Sequence, residues 1–170
     1  EKYFNRIPKS EKKILRERVI ETPIQKDISK TVYYNVEFPA LSYAFLTPAL
    51  GTDDYYPLIF IDLILSGGES SRLNQNLKIK NDLIINLEST YHAMEDYGLY
   101  SITCFAKSED SYKKLSTNLN EELLRIQTNF VTDRELEKVR NRVQRIIFDS
   151  NSNLSGIAQN LAEYETFYGN

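Results

Sequence analysis

The stretch TYHAMEDYG, Thr90 to Gly98, holds the one histidine of the chain and reads His92-x-x-Glu95-Asp96. On a helix, His-x-x-Glu-His turns both imidazoles toward one zinc ion and leaves the glutamate as general base. Aspartate also binds zinc, so the string invites a reading as a metal site with one ligand exchanged.

The elements around it argue against that reading. Over Asp82 to Met94, Leu83, Ile85, Leu87, Tyr91 and Ala93 fall on one strand face. Asn86, Glu88, Thr90 and His92 fall on the other, with Ile84 and Met94 near the ends. A helical face through Leu83, Leu87, Tyr91 and Met94 also exists. The sequel decides for the strand, because EDYG is a turn signal and LYSITCFAK (Leu99 to Lys107) is strand-like again. In such a hairpin Glu95 and Asp96 lie in the turn. Glu88 stands about 13 Å from His92 along the strand, too far to share one ion. One histidine and one cysteine cannot build a closed zinc site of four nitrogen and sulfur ligands. A carboxylate-rich or intermolecular site stays open. The plainer expectation for His92 is a solvent- or groove-facing residue on the polar side of a hairpin.

No other catalytic set is complete. Ser70 and Ser71 lack a histidine partner, and helix capping accounts for them. Cys104 lies in a strand pattern and reads as a buried, inert thiol. SGGESSR lacks the lysine and spacing of a phosphate loop. Of 12 tyrosines, Tyr33, Tyr34, Tyr43, Tyr55 and Tyr56 cluster early. They suit either a peptide-binding face or half-buried strands.

Composition sets wider bounds. The length of 170 residues suits one domain with a fair core. A net charge of -3 gives no global reason to expect nucleic acid as a partner. No apolar run approaches the roughly 18 residues of a membrane span. A single cysteine excludes an internal disulfide. The chain opens on EKYF and stops at FYGN, and we read it as a piece of a longer polypeptide whose compartment is unknown.

Glu1 to Asn5 reads as the last turn of a helix, and Arg6 to Asp27, bracketed by Pro8 and Pro23, as a locally basic solvated linker. Two strands are expected next, Lys30 to Phe38 and the more continuously apolar Ala40 to Pro48. A helix follows from about Tyr55 to Ser66, ended by Gly67 and Gly68. Ser70 or Ser71 is expected to cap a short helix through Lys78. After the hairpin come three helices. The first, Asp110 to Thr128, turns Leu115, Leu119, Leu123 and Ile126 inward. The capping box Thr132-x-x-Glu135 opens the second, with Leu136, Val139, Val143 and Ile146/Ile147 inward. Ser152 or Asn153 starts the third, with Leu154, Ile157, Ala158 and Leu161 inward. The fold expected is α+β, an antiparallel sheet of four or more strands with helices packed mainly on one face.

Several strings resemble the insulinase/pitrilysin family of zinc metallopeptidases, over nearly the whole chain. EKYFNRIP resembles the end of that family's first domain, and AFLTPALGTDDYYPLIFIDLILSGGESSRLNQNLK the opening of the next. The family's Gly-Gly-Gly-x-Ser-Ser-Arg-Leu appears as Gly67, Gly68, Glu69, Ser70, Ser71, Arg72 and Leu73, with Ser66 for the first glycine. YGLYSI, VTDRELEKVRN and LAEYETFYG agree in place and character.

The resemblance implies a metallopeptidase/processing-peptidase-like domain, the inactive second one of a half. Residues 1–27 would then be the end of the preceding domain and a linker, and 28–170 the inactive domain. The zinc and its His-x-x-Glu-His would lie in the preceding domain, with no cofactor, metal or catalytic residue here. HAMED then becomes an accidental near-match. Gly67, Gly68, Ser70, Ser71 and Arg72 would be a structural motif. The arginine and tyrosine that complete the family's active sites in trans correspond to Lys78 and Ile85 here, so this domain would not supply them. The implied partners are a peptide enclosed in the parent's chamber and a second half or homologous subunit. Two alternatives stand beside this: a structural subunit similar to the core proteins of the respiratory bc1 complex, and a stand-alone peptide-binding module.

Overall fold

A computed structural model describes residues 24–168, together with 3, 6–8 and 10–12. The expected helix end at Glu1 to Asn5 and much of the expected linker lie outside the described residues.

The sheet holds β1 (Ala40–Thr47), β2 (Ile84–His92) and β3 (Gly98–Ala106), in the order β1-β3-β2 and antiparallel throughout. The helices are α1 (Tyr55–Ser66), α2 (Glu109–Thr128), α3 (Asp133–Ser150) and α4 (Leu154–Tyr168). A π-helix, Asn74–Lys80, stands between α1 and β2.

Alternation makes the sheet one-sided. Tyr100, Ile102, Cys104 and Ala106 of β3 are buried, while the residues between them are not. Their face packs on Leu65 of α1, Leu73, Leu77 of the π-helix, and Leu115 and Leu119 of α2. Each fully buried leucine contributes roughly 1.5–3 kcal/mol relative to exposure. A smaller cluster of Leu63, Ile64 and Val139 seats α3 on α1.

The hairpin forms as expected, with one detail that explains an out-of-phase residue. Ile84 pairs with Ala106 and Asn86 with Phe105, so β2 bulges at Ile85. The extra residue shifts the phase. Ile84 therefore enters the core while Asn86 faces solvent. The chain reaches β2 through Asp82, at φ 53, a left-handed conformation that aspartate tolerates.

Caps fix the last three helices. Ser108 Oγ accepts the Ser111 N–H at 3.2 Å, and Asn153 Oδ1 that of Gly156 at 2.9 Å. At α3 the capping box is complete: Thr132 Oγ1 accepts the Glu135 N–H at 3.2 Å, and Glu135 Oε2 accepts the Thr132 N–H at 2.9 Å.

Four expectations need correction. Lys30 to Phe38 forms no strand, and Val32, Tyr33, Tyr34 and Val36 within it are exposed. Its β propensity finds no ladder among the described residues, so the sheet has three strands there rather than four. β1 is a half-exposed edge strand rather than a buried one, because helices cover only its inner face. Ile146 and Ile147 of α3 are more than half exposed, since α3 leaves α1 beyond Val143. In α4 all four residues expected inward, Leu154, Ile157, Ala158 and Leu161, are exposed, because that helix packs little against the rest.

Candidate functional site

The glycine-serine-arginine turn after α1 is a ledge on which α3 is held. Gly67 ends α1 with its N–H bonded to Leu63 O at 3.0 Å, and a Cβ there would stand 2.8 Å from Leu63 Cα. Gly68 follows at φ 99, where a side chain would be strained. The chain then turns through Ser70 and Ser71 to Arg72.

Three side chains of α3 meet this turn in reverse order. Glu135 takes Arg72, Nε to Oε1 at 2.7 Å and Nη2 to Oε2 at 2.9 Å. Lys138 Nζ donates to Ser70 Oγ, and Arg142 Nη1 to the Gly67 carbonyl. Positions i, i+3 and i+7 share one helical face, so the three reach one line of acceptors and donors.

The charges are set by these contacts. Hydrogen bonding from Arg72, aided by bonds from Thr132, holds the Glu135 carboxyl at about 2 against an ordinary 4.5. The same hydrogen bond raises the Arg72 guanidinium above its ordinary value, with Glu122 adding attraction. Glu122 is buried on the apolar stripe of α2 and is bonded by Asn76 Nδ2 and by Arg125 Nη1, the latter at 2.5 Å. Arg72, Asn76, Glu122 and Arg125 line an open groove between the π-helix and α2.

The sequence reading singled out the ledge but not its partners. The spacing of Glu135, Lys138 and Arg142 was the available signal. So was Glu122, a lone charge at helical spacing between Leu119 and Ile126. Asp62 was missed as well. Its Oδ1 accepts Ser66 Oγ at 2.9 Å and Ser89 Oγ at 2.7 Å, tying α1 to β2. Neither Ser70 nor Ser71 caps the following helix in the expected way. Ser71 Oγ accepts the Asn74 side chain at 3.1 Å instead, and the helix widens to π geometry.

The remaining candidates are dispersed. His92 ends β2 on its exposed face, with Glu95 and Asp96 in the turn beyond. Among the described residues no group of three or more His, Cys, Asp or Glu side chains could hold a metal ion. Cys104 is fully buried, and burial pushes its thiol up to about 12. Lys78 is half-buried on the π-helix, and Ile85 occupies the β2 bulge. Of the early tyrosines, Tyr43, Tyr55 and Tyr56 join an aromatic series with Phe45, Tyr91 and Tyr100. Tyr33 and Tyr34 are exposed. Burial raises the phenols of Tyr91 and Tyr100, which stay neutral.

The sequence matches the family described as the peptidase M16 inactive domain over residues 1–143. The chain belongs to that family. The expected likeness to an insulinase-like second domain is met, and so is the α+β class. No curated protein matches the chain. Solved structures share the M16 inactive-domain fold at low identity. A protease from Helicobacter pylori superposes with a TM-score of 0.69 at 19% identity, over 76% of this chain and 31% of that one. A peptidase M16 inactive domain from Pseudomonas fluorescens gives 0.64 at 20%, over 80% and 32%. The inactive peptidase domain of a candidate zinc protease from Bordetella parapertussis gives 0.67 at 18%, over 79% and 72%. This M16 inactive domain thus spans about a third of the first two of these chains.

Proposed function

We propose that this chain is the non-catalytic domain of an insulinase-like zinc metalloendopeptidase. It forms part of the wall that encloses a peptide and contributes contacts between two halves, fused or separate. The zinc belongs to a preceding domain, residues 1–27 are that domain's end and a linker, and 28–170 are the inactive domain. Gly67, Gly68, Ser70, Ser71 and Arg72 have a structural role. One observation carries the reading: in a chain of the M16 inactive-domain family, the motif's arginine is committed to Glu135, and the chain's one histidine ends β2 on its exposed face, in no metal-binding group among the described residues.

The test is metal analysis of untagged chain together with a broad peptide digest. Less than stoichiometric zinc and no cleavage are expected. Stoichiometric zinc that disappears in His92→Ala overturns the proposal. A parent polypeptide with no His-x-x-Glu-His would instead make this domain part of a structural subunit.

A further inference from the structure

Helices cover one face of the sheet only. The inner side chains of the strands join the main apolar cluster, and none of the outer ones does. On the outer face the register sets Ser42, Thr103 and Glu88 in one row and Ala44, Ser101 and Thr90 in the next. Ser42 Oγ and Thr103 Oγ1 lie 2.9 Å apart. Side chains this small leave a flat floor between Phe105 at one end and Leu46 and Leu99 at the other. From Leu99 to Phe105 the floor runs about 20 Å, room for about six residues of an extended peptide.

The formal charges of the sheet half are of one sign. No lysine or arginine stands between Lys30 and Arg72 or between Lys80 and Lys107, two stretches that take in all three strands, the hairpin turn and α1. The same stretches hold nine carboxylates. The whole chain carries only -3, so its cations are gathered elsewhere, mainly in the π-helix, α2, α3 and the chain up to Lys30. Two of the carboxylates reach the floor. Glu88 stands in it, bonded by Asn86 Nδ2 at 3.1 Å and by no cation among the described residues. Glu37 lines a groove of about 400 Å³ with Tyr34, Phe38 and Phe105, at the Phe105 end. Tyr34 is 80% exposed, and a cation can stack on its ring.

We propose that this outer face receives an extended cationic peptide, with lysine or arginine side chains at Glu88 and Glu37 and an apolar side chain in the groove beside Phe105. The inference rests on the reading of the domain as a chamber wall and adds a substrate class to it. Complementary charge confers selectivity more than raw affinity. A neutral peptide leaves Glu88 and Glu37 without a cation, and an acidic one meets a surface of its own sign.

The test is titration of the whole chain, followed by NMR, with a capped octapeptide carrying lysines and phenylalanines, and with the same peptide carrying glutamine or glutamate for each lysine. Saturable shifts are expected at the amides of Ser42, Ser101 and Thr103. The lysine peptide should bind about fivefold tighter or more than the glutamine one at low salt, and the glutamate one weakest. The preference should vanish toward 1 M salt, where screening acts within about 3 Å. Glu37→Gln with Glu88→Gln should abolish it, and Glu137→Gln on α3 should not. Equal binding of the three peptides, or a lysine preference that survives the double variant, would overturn the proposal. So would shifts confined to the helical side, no shift with any peptide, or outer-face shifts that grow with protein concentration alone, which would give the face to a second copy. These readouts need neither zinc nor cleavage. A parent without the zinc motif would therefore remove the peptidase reading and leave the preference standing, whereas a failed preference would leave a chamber wall without charge selectivity.

Discussion

The Glu135 carboxylate serves two elements at once: it accepts Nε and Nη2 of Arg72 at 2.7 and 2.9 Å while closing the capping box of α3 on the Thr132 N–H at 2.9 Å. The turn after α1 and the first turn of α3, 63 residues apart, are thereby joined through one side chain. Charge-assisted bidentate bonds of this kind are the stronger class, worth about 1.5–3 kcal/mol. Arg72→Ala should lower stability by about that amount, read as a shift in the urea midpoint. Arg72→Lys should recover only part, because an ammonium cannot present the planar fork. An unchanged midpoint in Arg72→Ala would refute the structural role.

The same pair predicts an acid-sensitive component of stability. Glu135 is held at about 2, below its ordinary 4.5. Between these values the unfolded chain binds the proton and the folded chain does not, so stability rises with pH across that window. The contribution is whole above about pH 4.5 and is lost as pH falls through about 2. Wild type should exceed Glu135→Gln in urea midpoint at pH 7, and the difference should shrink steadily from pH 4.5 downward. A difference that stays constant to pH 2.5 would count against the Arg72–Glu135 pair as its source.

How much of this was legible follows from which signals are local. The capping box at Thr132, the end of α1 at Gly67 and the β2–β3 hairpin were all readable, since each is decided within a few residues. Arg72 was singled out within its motif, but its partner Glu135 was not legible, because nothing local connects residue 72 to residue 135. Ile84 read as an out-of-phase strand end for lack of the bulge. Ile146, Ile147, Leu154 and Leu161 read as core because helical periodicity reports an apolar stripe but not what lies opposite it. Lys30 to Phe38 failed as a strand for a related reason. Propensity states what the segment can do, while a strand exists only with a neighbour.

Gly98 pairs with Thr47 at the end of the sheet, and it has no room for a side chain. A Cβ would collide with Thr47 Oγ1 and stand 2.8 Å from the His92 carbonyl oxygen. Gly98→Ala should destabilise by about 1–3 kcal/mol, the usual cost of overpacking. Thr47→Ala removes one of the two obstacles, so the double variant should lose less than the sum of the single losses in a thermal melt. Strict additivity would show that the backbone contact alone is responsible.

Cys104 is fully buried on the inner face of β3, and its thiol is pushed up to about 12 by that burial. Only the thiolate attacks disulfide reagents. The native chain should therefore react negligibly with an aromatic disulfide at pH 8 over the time in which urea-unfolded chain reacts completely. Rapid native labelling would mean that β3 opens locally far more often than its central place in the sheet implies.

The final prediction concerns Lys78 and Ile85. Resemblance sets them where the family's catalytic halves carry an arginine and, seven residues on, a tyrosine. Lys78 is half-buried on the π-helix, and Ile85 is the extra residue of the β2 bulge. An isoleucine has no hydrogen to donate to an oxyanion. If the parent is a peptidase, the pair must come from another domain. His-x-x-Glu-His is expected upstream, and arginine and tyrosine seven residues apart in a second half. Lys78→Arg with Ile85→Tyr, made in the full parent with its second half, should leave kcat/KM unchanged, because this domain would not face the opposite zinc. One oxyanion donor is worth about a hundredfold in rate or more, so a rise of that size would assign this domain a catalytic face. The bulge gives a second readout. Tyrosine at residue 85 should leave the pairing of Ile84 with Ala106 intact in exchange measurements, so that an unchanged rate reports on catalysis and not on a disrupted sheet.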